Sequence, residues 1–415
     1  MKTTLRAALA AALLTGVAGI ALTAAPALAA KKDEKAAPKQ NYTKAVLVAL
    51  QAAQKALQAT DVATATAQVQ IADAAKITAD DILAVGQIKI NIGLTTKDNA
   101  MIETGLETAL SSGKVAETEV PKYWRNLGAL AIQKNDYNKA IRAYVELEKI
   151  QPANGDTAIS LAEMYQKTKQ TPQAVATFAR AVAARQASGE PVPEAWYRRA
   201  LAIAYDARLP NETRAASLAL VAAFPNPTNG RDSLTIFRDG AKMDDQGMLD
   251  VFRLQRAAGA LAGERDYAEY SETASLRGLP GEAKTVADEG IAKGMLSTAK
   301  PFVKDMQATL GPRVAKDKAS LPALEKEALG AKGTAKLIAG TADGYFGYGN
   351  YAKAATLYKA ALAKGADPAI TNLRLGASLA LGGDKAGATE ALNAVKGGPR
   401  ETLAQFWLAY LSKKV

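Results

Sequence analysis

The stretch that decides the fold is Trp124–Pro152, WRNLGALAIQKNDYNKAIRAYVELEKIQP. Trp124, Leu127, Gly128 and Ala131 recur at i, i+3, i+4 and i+7, so they share one face of a helix. Asn135-Asp136 interrupts the pattern, because both side chains compete with the helix for backbone hydrogen bonds. Ala140, Tyr144 and Leu147 then share a face of a second helix, and Pro152 cannot continue it. Gly128 and Ala140 are small where the two helices are expected to cross most closely.

The hairpin recurs. A shift of 34 residues carries Leu127, Gly128, Ala131, Ala140, Tyr144 and Leu147 onto Leu161, Ala162, Tyr165, Ala174, Phe178 and Ala181. Near the end of the chain Tyr345, Gly349, Tyr351, Ala354, Tyr358 and Ala361 repeat the pattern. From that unit, Ala342, Gly349, Ala354 and Tyr358 shift by 34 onto Gly376, Gly383, Ala388 and Leu392. This spacing and residue choice resemble the tetratricopeptide repeat, with Trp…Leu-Gly…Tyr in the first helix, Ala…Tyr/Phe…Ala in the second, then Pro. The resemblance implies an all-α fold, an α-solenoid of helix-turn-helix repeats winding into a right-handed superhelix.

The opening MKTTLRAALAAALLTGVAGIALTAAPALAA has the build of a bacterial signal peptide. Lys2 and Arg6 make a positive start, an apolar run follows, and Ala27-Leu28-Ala29 offers a small-x-small cleavage site. Thr15, Gly16, Gly19, Thr23 and Pro26 interrupt the run, which argues for cleavage instead of a retained anchor. The expected destination is the periplasm, with no transmembrane segment in the mature chain. Removing residues 1–29 deletes two cations and no acid, which lowers the formal net charge from +11 to +9.

Residues 30–40 read as a flexible linker. An N-terminal helical array is expected over 41–298, with its clearest repeats at 121–188. Within it, Leu201, Tyr205, Ala215 and Ala222 continue the pattern in a slipped register, and FPNPTNGRD (224–232) reads as a loop. Pro301, Gly311-Pro312, Pro322 and Gly330 are expected to chop 299–333 into an irregular connector of short helices. A C-terminal array over 334–415 ends in a closing helix carrying Phe406, Trp407 and Leu411.

The chain has no histidine and no cysteine. Thiolate metal sites, thiol nucleophiles and Ser-His-Asp triads are therefore excluded. No phosphate-binding Gly-x-x-x-x-Gly-Lys loop is present, and no cofactor or metal is expected. Ser111…Lys114 and Ser297…Lys300 have a Ser-x-x-Lys spacing but lack its companion elements, so both read as helix-end turns. Asp244-Asp245 reads as a helix N-cap, and Glu264-Arg265-Asp266 as ion pairing at a helix start. Export and the lack of a groove-reading motif argue against nucleic acid.

What remains is binding. The resemblance implies that first helices line a concave groove. It places ligand contacts at Lys122, Arg125, Ala129, Ile132 and Gln133, then at Asp156, Ile159, Glu163, Gln166 and Lys167. Such a groove suits an extended peptide or a partner helix. The expected role is a non-enzymatic protein-interaction scaffold. The rivals are a cell-envelope factor on an anionic polymer such as peptidoglycan, and a carboxylate-based hydrolase. Trp124, Tyr144, Tyr165, Phe178 and Tyr358 occupy core positions of the repeat.

Overall fold

A computed structural model describes residues 40–413. The expected signal peptide and most of the expected linker lie outside the described residues. Within them the chain is all-helical, with twenty helices and no strand. No described helix is long and apolar enough to cross a membrane. The chain forms two compact units that divide between Val192 and Pro193.

The first unit contains α1 (Lys44–Gln58), α2 (Val62–Ala75), α3 (Ala79–Thr96), α4 (Asn99–Ser111), α5 (Val120–Gln133), α6 (Tyr137–Ile150), α7 (Gly155–Lys167) and α8 (Thr171–Ala187). The second contains α9 (Glu194–Asp206), α10 (Pro210–Ala223), α11 (Pro227–Gly240), α12 (Asp245–Ala257), α13 (Glu264–Leu276) and α14 (Pro280–Ala292). It continues through α15 (Pro301–Leu329), α16 (Ala335–Gly347), α17 (Tyr351–Ala363), α18 (Pro368–Gly382), α19 (Lys385–Asn393) and α20 (Gly398–Lys413).

Eight of these helices run into their partners through the same turn. One residue takes the left-handed conformation: Thr60, Lys97, Asn135, Lys169 and Arg208 at φ 57–60°, then Gly278, Gly349 and Gly383. The next residue returns its N–H to a carbonyl five positions back, as in Asp136 to Ala131 (2.9 Å) and Asn350 to Tyr345 (2.9 Å). The second helix is then started in one of two ways. Asp61, Asp98, Asp136, Asn350 and Asp384 cap it with a side-chain oxygen. The other three hairpins place Pro172, Pro210 or Pro280 in the first turn, where a missing N–H costs nothing.

Close approach follows from small residues. A Cβ on Gly128 would lie 2.9 Å from the Tyr144 ring, so α5 and α6 touch where the sequence led us to expect. The contact between α3 and α4 is tighter, because a Cβ on Gly86 would lie 2.5 Å from the Ala109 backbone nitrogen.

The start of α1 is tied to the start of α3 by one carboxylate. Asp81 accepts from the Thr43 hydroxyl (2.6 Å) and from the backbone N–H groups of Thr43 (2.9 Å), Thr78 (3.0 Å) and Ile77 (3.1 Å). Burial alone would raise its pKa, but these donors outweigh burial and hold it at about 2. The folded value lies below the unfolded one, so the stabilisation is present above pH 3.8 and is lost as pH falls towards about 2. Asp81→Asn is expected to remove on the order of 2 kcal/mol at neutral pH. Acid-unfolding curves of the two proteins should converge between these pH values; parallel curves would disprove the assignment.

Three local expectations are corrected. The segment 301–329 is one continuous helix, not a run of short ones. Val303, Leu310, Leu321 and Ala328 are buried at spacings of 7, 11 and 7, a single stripe of an α-helix. The first two join a core with Tyr267 and Tyr270, the last two a core with Ile338 and Tyr345. Burial of that stripe outweighs the hydrogen bonds lost at Pro312 and Pro322. The 224–232 loop ends early, since Pro227 opens α11 and the Asn226 side chain caps it on the Asn229 N–H (2.9 Å). Finally, Tyr205 is 50% exposed, and Ala215 and Ala222 are exposed too. The buried faces are formed instead by Ala204, Ser217 and Leu220.

Candidate interaction surfaces

The proposed groove residues occupy α5 and α7 of the first unit, and none of them is buried. Arg125, Gln133, Asp156, Glu163 and Lys167 are exposed, while Lys122, Ala129, Ile132, Ile159 and Gln166 are half-buried. They flank buried stripes made of Leu127, Leu130 and Ala131 on α5 and of Ala158, Leu161 and Ala162 on α7. Several have partners: Arg125 donates to Gln151 (3.2 Å), Gln133 accepts from Asn99 (3.2 Å), and Asp156 accepts from Arg185 (2.8 Å). Lys122 pairs with Glu119 at 3.4 Å. Glu163 and Lys167 form no ion pair among the described residues. Beside Arg125, the buried Asn126 keeps a side-chain nitrogen without an acceptor. Of the residues expected in the core, Tyr144, Phe178 and Tyr358 are buried, whereas Trp124 and Tyr165 are only half-buried.

In the second unit the inward faces of the repeats are filled by the chain itself. Helix α12 is buried without a break from Leu249 to Gln255. Phe252 stacks on Tyr270 of α13 (centroids 5.3 Å apart), and Arg253 lies over the Phe346 ring of α16 (4.3 Å). Arg253 grips Glu282 of α14 with two parallel hydrogen bonds (2.9 and 2.7 Å) and reaches Asp250 (3.2 Å) and Asp343 (3.3 Å). Arg374 of α18 joins Asp250 (3.0 Å) and Asp343 (2.8 Å). Tyr358 and Tyr270 complete the set by donating to Asp343 (2.6 Å) and Glu282 (2.7 Å).

Two cations thus face three carboxylates in a largely buried site, open only at Asp343 and along the Arg253–Tyr270 side. Burial pushes the Asp250 carboxyl above its ordinary range, and the two arginines offset that only in part. Burial would lower the pKa of Arg253, but Glu282 and Asp343 overcome it and raise the value. Because the donors saturate these carboxylates, none is placed as a free base or nucleophile. The sequence reading missed this network. Its available signal was MLDVFRLQ (248–255), whose apolar residues point to all sides and so mark a wholly buried helix.

The motifs set aside as structural are placed accordingly. Asp244 caps α12 on the Gly247 N–H (2.8 Å) and also accepts from Arg400 (2.8 Å). Glu264 pairs with Lys300, and Arg265 pairs with Glu269 (2.6 Å). Ser111 donates to the Thr108 carbonyl (2.7 Å) at the end of α4.

Paired antiparallel helices with a repeated left-handed turn define a helical-repeat protein of the α-solenoid class. Residues 131–192 match the tetratricopeptide repeat, the segment in which the clearest sequence repeats fall. Among solved structures, it is similar to a chain in the structure of Naa15/Naa10 bound to HypK-THB, at 15% identity and a TM-score of 0.31. That match covers 84% of this chain and 57% of the other, so this chain spans little more than half its length. A tetratricopeptide repeat protein from Parabacteroides merdae matches at 11% identity and a TM-score of 0.27, over 81% of this chain and all of that one (100%). No curated protein matches the chain.

Proposed function

We propose that the protein is a non-enzymatic protein-interaction scaffold of the periplasm, which holds an extended peptide or a partner helix on the α5 and α7 surface. The observation that carries this reading is the unequal use of first helices in the two units. In the second unit they close on α12; in the first, α5 and α7 leave Arg125, Gln133, Glu163 and Lys167 exposed on in-phase repeats. Alternating charge beside half-buried Ile132 and Ile159 suits a mixed polar and apolar partner. Export follows from the signal-like opening of the sequence.

Cross-linking of the full chain in intact cells tests the scaffold reading. A protein partner is expected, and its yield should fall at least about tenfold in R125E/K167E, whose substitutions are at exposed positions and leave the fold intact. Recovery of murein or lipopolysaccharide without a protein would favour the envelope-polymer reading instead. Cell fractionation tests location: accumulation in the cytoplasm would refute export.

A further inference from the structure

The second unit contains a cavity of about 690 Å³ bounded by α9–α10, α11 and α20, within the size range of small-ligand sites. Its apolar wall is made by Ile236, Phe237 and Phe406. Tyr205, the half-exposed residue that left the repeat core, stands between it and a neighbouring cavity of about 570 Å³.

Its polar groups are the informative part. Thr213, Ser217 and Thr402 line the cavity and are 8%, 2% and 4% exposed. Their hydroxyls make no hydrogen bond among the described residues, although many helical Ser and Thr hydroxyls in this chain bond the carbonyl one turn back, as Thr66 does (2.8 Å). Their oxygens are not among the buried unsatisfied atoms and so face the cavity, where a ligand oxygen would replace water as their partner. Arg208 and Arg214 lie on the same cavity and form no ion pair among the described residues.

Two carboxylates also line the cavity, and each makes one contact. Glu401 accepts from the Gly397 N–H (2.9 Å), and Asp239 accepts from Arg238 (3.5 Å). The first turn of α10 lies on the same cavity at Pro210-Asn211 and adds its positive dipole end. The two arginines, which form no ion pair among the described residues, therefore sit beside an apolar wall.

From this we infer that the cavity binds a single-chain amphiphile with an anionic oxygen head, its chain against Phe237 and Phe406 and its head towards Arg208, Arg214 and the hydroxyls. The head is a carboxylate or a phosphate, and both satisfy the same donors. The site lies in the second unit and stands independently of the partner surface proposed on the first.

Isothermal titration of the full chain tests this with four probes of equal chain length, each below its micelle concentration: decanoate, decyl phosphate, decanol and decyltrimethylammonium. Saturable binding is expected for one or both anions, and their relative affinity identifies the head. The neutral and cationic probes should bind at least about tenfold more weakly. R208Q/R214Q, at two exposed positions, should lose at least about tenfold in anion affinity while its melting curve is unchanged. Ser217→Leu, which fills the cavity from its wall, should abolish binding. Equal affinity for decanol and decanoate, no binding of any probe, or full retention by R208Q/R214Q would each overturn the inference.

Discussion

Replacing Arg253 with alanine is expected to cost the second unit about 3–5 kcal/mol, because it strands buried carboxylates. Asp250, Glu282 and Asp343 would face Arg374 alone, with Glu282 left only the Tyr270 hydroxyl at 2.7 Å. The loss comes from the uncompensated charges more than from the missing contacts. The paired change R253M/E282L should therefore cost clearly less than Arg253→Ala, since it removes a carboxylate together with its cation. Chemical denaturation gives the magnitude, and hydrogen exchange in α12, α16 and α18 locates it. A loss of Arg253→Ala below about 1 kcal/mol would show that water reaches the network and screens it.

The second large effect is expected at Trp407. It is 1% exposed, the largest fully buried side chain, and meets Tyr410 edge-on with centroids 5.7 Å apart. Trp407→Ala should cost about 3–5 kcal/mol, the usual range for emptying a buried aromatic site. Helix α20 does more than cover the last repeat. Phe406 packs beside Phe237 of α11 at 5.7 Å, and Arg400 reaches Asp244 at the start of α12 (2.8 Å). Hydrogen exchange in Trp407→Ala should accordingly rise in α11 and α12 as well as in α20. Protection lost from α20 alone would reduce it to a simple end cap.

How much of this was legible in the sequence depended on distance along the chain. The hairpins were readable because every determinant is local: a small residue at the crossing, a left-handed turn residue, then Asp, Asn or Pro. The α9–α10 pair was misread because its turn residue, Arg208, falls 39 positions after Lys169, and the slipped register chosen there put Tyr205, Ala215 and Ala222 on the buried face. Pro312 and Pro322 misled for a related reason. A proline rule looks at one turn, whereas the stripe from Val303 to Ala328 is anchored in two separate cores.

The network and the cavity were not legible. Asp250 and Arg374 are separated by 124 positions, and no repeat periodicity brings them together. The groove residues were named from a likeness to known repeats, and they lie on α5 and α7.

Helix α12 carries a consequence for the chemistry of recognition. Tethered inside its own cradle, it acts as a ligand present at an effective concentration in the millimolar range. A free helix of ordinary affinity cannot displace such a rival, because the tethered copy rebinds faster than a dilute competitor arrives. The second unit is in this sense a receptor already saturated by its own helix.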